Sequence, residues 1–262
     1  MRVSALTIYP VKACRGISVT RARVVARGFE LDRRYMIVDA EGDFVTQRDR
    51  HELALVSTSL TLDGFELRAP NLAPLELPRA HEAGPRVRAR VWAHEGVGSL
   101  HAEGSAWFSA YLGAPHQLVY MPDEHERPVN PERARPGDVV GFADAYPFLV
   151  ISEGSLAELN RRLPQPLEMR RFRPNIVVSG AEPFAEDGFA RVRIGALSFR
   201  GPKRCDRCVV TTLDPETGRT GQEPLRTLAT FRKQDGKVWF GMNLIHDGPG
   251  EIAVGDDVVV LD

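Results

Sequence analysis

Short runs of β-branched and aromatic residues, each broken within a few positions by glycine, proline or a polar pair, recur along the whole chain. Arg2 to Tyr9, Val19 to Val25, Tyr35 to Val38 and Leu53 to Leu62 lie in the first half. Asn175 to Ser179, Ala190 to Ile194, Leu197 to Arg200 and Trp239 to Ile245 lie in the second. Alternate side chains of a strand face opposite sides, so such runs suit half-buried strands and are too punctuated for long helices. Glu41-Gly42-Asp43 reads as a tight turn, Asp63-Gly64 as a hairpin joining Ser57–Leu62 to Phe65–Arg68, and Gly195-Ala196 as another connection. Arg86 to Val91 and His116 to Met121 also carry strand character, and a closing pair surrounds Gly255-Asp256-Asp257. Two segments read as helices: Ser105 to Leu112, stopped by Gly113 with Pro115 beyond, and Leu156 to Leu163, stopped by Pro164. Many short strands with few helices predict a mainly β (α+β) fold of two β-barrel-like domains, not a doubly wound sheet.

A chain of 262 residues is one large domain or two ordinary ones, and 43% hydrophobic residues can fill a core in either case. Pro122 to Pro136 holds four prolines among mixed charges and reads as a surface connection. The expected division is therefore 1–121 and 122–262. A formal net charge of −1 gives no support for a broad nucleic-acid-binding surface. Met1 to Pro10 lacks the apolar region of a signal peptide, and no stretch approaches the ~20 apolar residues that span a bilayer. No membrane association is expected. Three cysteines cannot all pair with one another, and a functional thiol suits a reducing, cytoplasmic setting.

Charge is uneven within this near-neutral chain. From Arg161 to Arg207 there are eleven Lys or Arg against five Asp or Glu. That excess suggests an anion pocket, and it ends on Cys205-Asp206-Arg207-Cys208. A thiol beside fixed positive charge deprotonates more readily, and the thiolate is the form that attacks electrophiles and binds soft metals. Structural zinc would need a second pair of ligands, but the remaining thiol is the distant Cys14 and the histidines are scattered. A redox pair should open a helix after a strand, whereas Val209-Val210-Thr211-Thr212 reads as a strand. A single reactive thiolate, and two inert buried cysteines, remain as the other readings.

Phe172-Arg173-Pro174-Asn175, followed by Cys205-Asp206-Arg207-Cys208 and Thr211-Thr212-Leu213-Asp214-Pro215-Glu216-Thr217-Gly218, resembles the MOSC proteins, the molybdenum cofactor sulfurase C-terminal domains. The opening Ile8-Tyr9-Pro10-Val11-Lys12 is similar to the β-barrel domain that precedes MOSC in one branch, which includes the amidoxime-reducing component and bacterial relatives. The resemblance runs from Leu6 to Val259. It implies a molybdopterin-bound molybdenum held by one cysteine thiolate, at the position of Cys208. Eukaryotic members carry a membrane anchor, which is not expected here.

The same resemblance assigns cofactor contacts to Lys12, Arg34, Arg173, Asn175, Asp206, Arg207 and Asn243. Without it, Lys12 reads as an edge charge and Arg34 as a partner of Asp32. Alternation should turn one of the two adjacent arginines inward, and the resemblance favours Arg34 over Arg33. Pro174 holds Arg173 and Asn175 on a rigid segment, where a guanidinium fork suits phosphate and an amide suits a pterin edge. Arg207 is expected to favour the Cys208 thiolate. Arg170 and Arg171 are left outside the site, and Asp214 reads equally well as a turn cap. The family's hydroxyls next to Lys12 and Asp144 are replaced by Ala13 and Ala145. The implied activity is reduction of N-hydroxylated compounds such as amidoximes and hydroxylamines. The alternative is a carrier of the cofactor or of sulfur on Cys208. No GxGxxG loop and no cysteine set for an iron–sulfur cluster is present, so a separate ferredoxin- or flavin-type reductase is expected to supply electrons.

Overall fold

A computed structural model describes residues 1–261. Its largest sheet has nine strands, running Val258–Val260, Arg191–Ile194, Leu197–Asp206, Lys237–His246, Phe148–Ser152, Ile176–Ser179, Arg2–Ile8 and Ile17–Val19, with Lys233–Gln234 paired beside Lys237–His246. Phe148–Ser152 and Ile176–Ser179 are parallel, with Val150 opposite Ile176. The neighbouring pairs are antiparallel, among them Leu6 opposite Ile176 and Phe148 opposite Leu244. A four-stranded sheet orders Tyr35–Val38, Gln117–Tyr120, Val97–His101 and Arg86–Arg88, and two three-stranded sheets complete the fold. The chain is thus mainly β with few helices, and none of the four sheets closes on itself among the described residues.

Sheets are shared across the Pro122–Pro136 connection. Strand Arg2–Ile8 pairs with Ile176–Ser179, and Gly250–Ala253 pairs with Arg21–Val25. One buried cluster therefore joins both halves of the sequence, with Leu6, Val24 and Phe29 packed among Phe148, Ile176, Phe199 and Leu244. A second cluster belongs to the first half, around Tyr35, Phe65, Leu77, Phe108 and Tyr120. Packing along the junction of these two cores sets the first strand's exit, Tyr9 to Lys12, against the second half.

Local chemistry explains where the expected elements shift. The first helix spans Ala102–Leu112, earlier than expected, because the His101 ring accepts the Gly104 N–H and starts it; Gly113 ends it at φ 67°. The second spans Glu153–Arg162, capped by the Ser152 hydroxyl accepting the Ser155 N–H. His51–Leu55 is a 3-10 turn and strand Ser57–Leu60 follows it. Val209–Thr212, expected as a strand, is also a 3-10 turn. Thr211 Oγ1 donates to Cys208 O at 2.9 Å and Thr212 Oγ1 to Val209 O at 2.7 Å, so the hydroxyls reward the tighter turn over β extension. Gly250–Ala253 and Val258–Val260 are not paired together; each joins a different sheet.

Candidate functional site

A solvent-open cleft lies where the two halves meet. Lys12, Arg173, Asn175, Asp206, Arg207, Cys208 and Asn243 line it, so the residues expected from both ends of the chain meet in one place. Lys12 leaves the first strand's exit, where Lys12 N–H donates to Tyr35 O at 2.8 Å and Tyr35 N–H to Pro10 O at 3.0 Å. The residue is 6% exposed. The ammonium donates to Phe142 O at 2.8 Å and pairs with Asp144 at 2.5 Å. Burial pulls its pKa down to about 8, and Asp144 offsets only part of that. The lysine thus acts as a charge taken largely out of water, not as a solvated edge group.

Arg34 is placed away from the others. It does not line the cleft: its guanidinium donates to Met121 O and Asp123, both at 2.7 Å, and lies over the Tyr120 ring. Arg33 lines the cleft instead. Leu31 and Arg33 both have positive φ, 69° and 48°, so strand alternation does not begin until Tyr35 and cannot assign the arginines. Arg33 pairs with buried Asp32 at 2.6 Å and donates to Asn175 Oδ1 at 3.1 Å. Arg33 and Arg173 each lie 4.4 Å from the centre of the Tyr9 ring. The Tyr9 hydroxyl donates to Pro174 O at 3.0 Å, which ties the first strand to the Arg173 turn.

Asn175 is 1% exposed. Its Oδ1 accepts from Arg33 and from Leu149 N, and its Nδ2 donates to Thr7 O and to Asp32 Oδ1. Those four bonds use the amide fully, so Asn175 orients Arg33 and Asp32 while forming part of the cleft wall. Arg173 has no carboxylate partner among the described residues, and its backbone sits in the left-handed region at φ 56°. Burial depresses its pKa, as expected of a charge desolvated without an anion beside it.

The two cysteines have different surroundings. Cys205 ends strand Leu197–Asp206 and is half-buried, whereas Cys208 is exposed, just before the 3-10 turn. Arg207 reaches Cys205 Sγ at 3.1 Å and donates to Phe172 O at 2.7 Å, so its expected service to Cys208 is not seen. Burial raises the Cys205 pKa and Arg207 opposes that rise. Cys208 Sγ is met by Arg48 at 4.0 Å. Asp206 pairs with Lys203 at 2.9 Å, and Asn243 donates to Lys203 O at 3.1 Å, fixing one wall. Asp214 accepts the N–H groups of Glu216 and Thr217, so it caps its own turn and does not line the cleft.

Arg33, Arg48, Thr46 and Gln47 line the cleft without having been singled out in the sequence. A signal existed for Thr46 and Gln47. Thr46-Gln47-Arg48-Asp49 is a Thr-x-x-Asp turn, and Thr46 N and Oγ1 both donate to Asp49 at 3.1 and 3.0 Å. Gln47 donates to Ala13 O at 2.6 Å and anchors that turn to the Lys12 segment. Arg48, Arg173 and Arg207 thus face one cleft without a carboxylate partner among the described residues. Among those residues no three His, Cys, Asp or Glu side chains converge on a metal position. The arrangement offers an accessible thiol and several unneutralised guanidiniums, which suits an anion carrying a thiophilic centre.

Known proteins match this chain along nearly its full length. The MOSC N-terminal beta barrel domain matches residues 1–115, and the MOSC domain matches residues 137–259. Mitochondrial amidoxime-reducing component 1 of Homo sapiens is 37% identical over 279 residues, covering 99% of this chain and 82% of that protein. Mitochondrial amidoxime reducing component 2 of Rattus norvegicus is 33% identical, covering 98% and 82%. Molybdenum cofactor sulfurase of Solanum lycopersicum is 30% identical over 98% of this chain but only 35% of its own length. No helix among the described residues is long and apolar enough to cross a membrane.

Proposed function

The chain belongs to the MOSC family, with the N-terminal MOSC β-barrel domain ahead of it, and from that premise we propose a molybdenum-cofactor-dependent oxidoreductase acting on N-hydroxylated compounds. The observation that carries this reading is the exposed Cys208 thiol on a cleft lined by the guanidiniums of Arg48, Arg173 and Arg207, which have no carboxylate partner among the described residues. The residues fit the cofactor by the chemistry of their donors. The chain offers there one exposed sulfur, Cys208, beside the half-buried Cys205, and no group of three potential ligands among the described residues, so the metal's other donors must come with the group. The buried Nε of Arg207 has no hydrogen-bond partner among the described residues, an unpaired polar atom beside the cleft.

In this reading Cys208 is the metal ligand. Lys12, Arg33, Arg173 and Arg207 balance the anionic part of the cofactor. Asp32 and Asn175 hold Arg33 in place, and Asp206 and Asn243 form the wall beside Lys203. When bound, the cofactor supplies two-electron redox chemistry at molybdenum. Converting an N–OH group to N–H takes two electrons and two protons and releases water. The electrons come from a donor outside these residues, which carry neither an iron–sulfur cysteine set nor a dinucleotide loop. The residues themselves bind and orient: the guanidiniums keep the anion fixed, and the open mouth at Cys208 admits a small substrate.

The exposed thiol also supports a second reading, a carrier of the cofactor or of sulfur. Protein purified from molybdenum-replete cells decides between them. The enzyme reading expects about one molybdenum per chain and donor-dependent conversion of benzamidoxime to benzamidine. Molybdenum-free protein carrying transferable sulfur on Cys208, with no turnover, would overturn it.

A further inference from the structure

Trp92 opens a two-residue turn between the bridged residues Val91 and His94, and its φ is 54°. Glycine is the usual residue at such a position, and a bulky side chain at positive φ is an outlier with a conformational cost. Burial does not account for it, because Trp92 remains 51% exposed. Its ring packs instead 5.0 Å from Phe44 and 4.7 Å from the Arg48 guanidinium. Arg48 is held from below by the Thr46–Asp49 turn, where Thr46 Oγ1 accepts the Arg48 N–H at 3.1 Å. Its far end stands 4.0 Å from Cys208 Sγ. A strained, outward-facing indole is therefore connected by one side chain to the thiol of the cleft.

We propose that Trp92, backed by Arg48, forms an aromatic subsite at the rim of the cleft: the planar aryl group of an N-hydroxylated substrate stacks on the face of Trp92 that Arg48 leaves open. This rests on the oxidoreductase reading of the same cleft. A flat indole backed by a guanidinium favours a π face over an alkyl chain. One exposed ring offers far less than the ~800 Å² per partner of a stable protein interface, so a small molecule is the occupant. Trp92 does not itself line the cleft; its contact with Arg48, which does, places the ring at the cleft's rim.

The test is calorimetric binding of benzamidoxime and acetamidoxime to the molybdenum-loaded protein, with no electron donor present. The native protein should prefer benzamidoxime. Trp92→Gly should reduce the ratio of the two affinities by about three- to tenfold, the range of a lost aromatic stack. Glycine relieves the turn's positive φ, so folding is retained, and Trp92→Phe should restore most of the preference. Arg48→Lys keeps the charge but loses the plane, and it should lower the same ratio. Equal loss for both compounds, or no change, would overturn the subsite. So would an unchanged affinity ratio accompanied, in a separate donor-dependent turnover assay, by a raised half-saturating concentration of the donor protein, which would make the ring a protein-docking feature. Failure of the oxidoreductase reading shows separately, as protein that lacks molybdenum or binds both compounds without turning them over.

Discussion

The Arg207 guanidinium stands 3.1 Å from the sulfur of Cys205, and the adjacent Cys208 sulfur is left exposed at the cleft. The two thiols are thereby separated in role although three residues apart in sequence. Cys208→Ser should abolish reduction of benzamidoxime, because a serine hydroxyl is far harder and less acidic than a thiol. Cys205→Ser should keep most activity, since its sulfur, although on the cleft wall, is half-buried and engaged by Arg207. Thermal melts of both variants should stay close to the native protein. In cofactor-free protein iodoacetamide should label Cys208 first and Cys14 last, since burial pushes the Cys14 thiol up to about 12. Full activity in Cys208→Ser would end the enzyme reading, and equal loss in both variants would favour a redox pair.

Arg173 and Arg171 lie two residues apart but meet different groups. Arg171 faces Asp214 at 3.3 Å, whereas Arg173 stacks on Tyr9 and has no carboxylate partner among the described residues. Arg173→Ala should therefore lower molybdenum content after purification much more than Arg171→Ala. A charge-assisted contact to an anion is worth about 1.5–3 kcal/mol, and a surface ion pair about 0–1 kcal/mol. Equal molybdenum content in the two variants would remove Arg173 from the anion site.

Strand identity was legible where one face is buried, as in Arg191–Ile194, whose exposure alternates residue by residue. Partner choice was not, because the pairing of Arg2–Ile8 with Ile176–Ser179 is set by a core shared between distant segments. Cys208 could be singled out from its basic flanks and motif. Arg48 could not, since a lone arginine in a polar turn has the pattern of a solvated one until Trp92 and Cys208 are brought to it. Val209–Thr212 misled for a different reason: β propensity is weaker than two threonine hydroxyls bonded to the backbone.

Lys12 gives the site a pH dependence with a defined sign. Its pKa falls from 10.5 to about 8, chiefly through burial, with Asp144 opposing the fall. Below about 8 the ammonium is charged and helps to hold an anion; above it that attraction is lost. Molybdenum retained after dialysis should therefore be higher at pH 7 than at pH 9. Lys12→Arg, charged throughout this range, should flatten the difference. The same shift works in the opposite direction on the cofactor-free fold. Between about 8 and 10.5 the unfolded chain binds the proton and the folded chain has released it, so this group makes stability rise with pH. Urea titrations of cofactor-free native and Lys12→Arg protein at the two ends of that window would show whether the rise belongs to Lys12.

Arg33 and Arg34 provide the most direct check on how the site is assembled. Arg33 is on the cleft and is fixed by Asp32 and Asn175, whereas Arg34 binds Met121 O and Asp123 away from it. Arg33→Ala should lower molybdenum content, and it leaves buried Asp32 without its cation, so about 3–5 kcal/mol of stability should also be lost. Asn175→Ala should reproduce part of both effects by releasing Arg33, with a cost of about 1–3 kcal/mol for the amide partners left unpaired. Arg34→Ala removes one bond to a carbonyl and a pair with an exposed aspartate, so molybdenum content should stay native and stability should fall by only about 1 kcal/mol. Urea denaturation and metal analysis on the three variants separate the outcomes. If Arg34→Ala loses molybdenum and Arg33→Ala does not, the cleft is held by the other arginine.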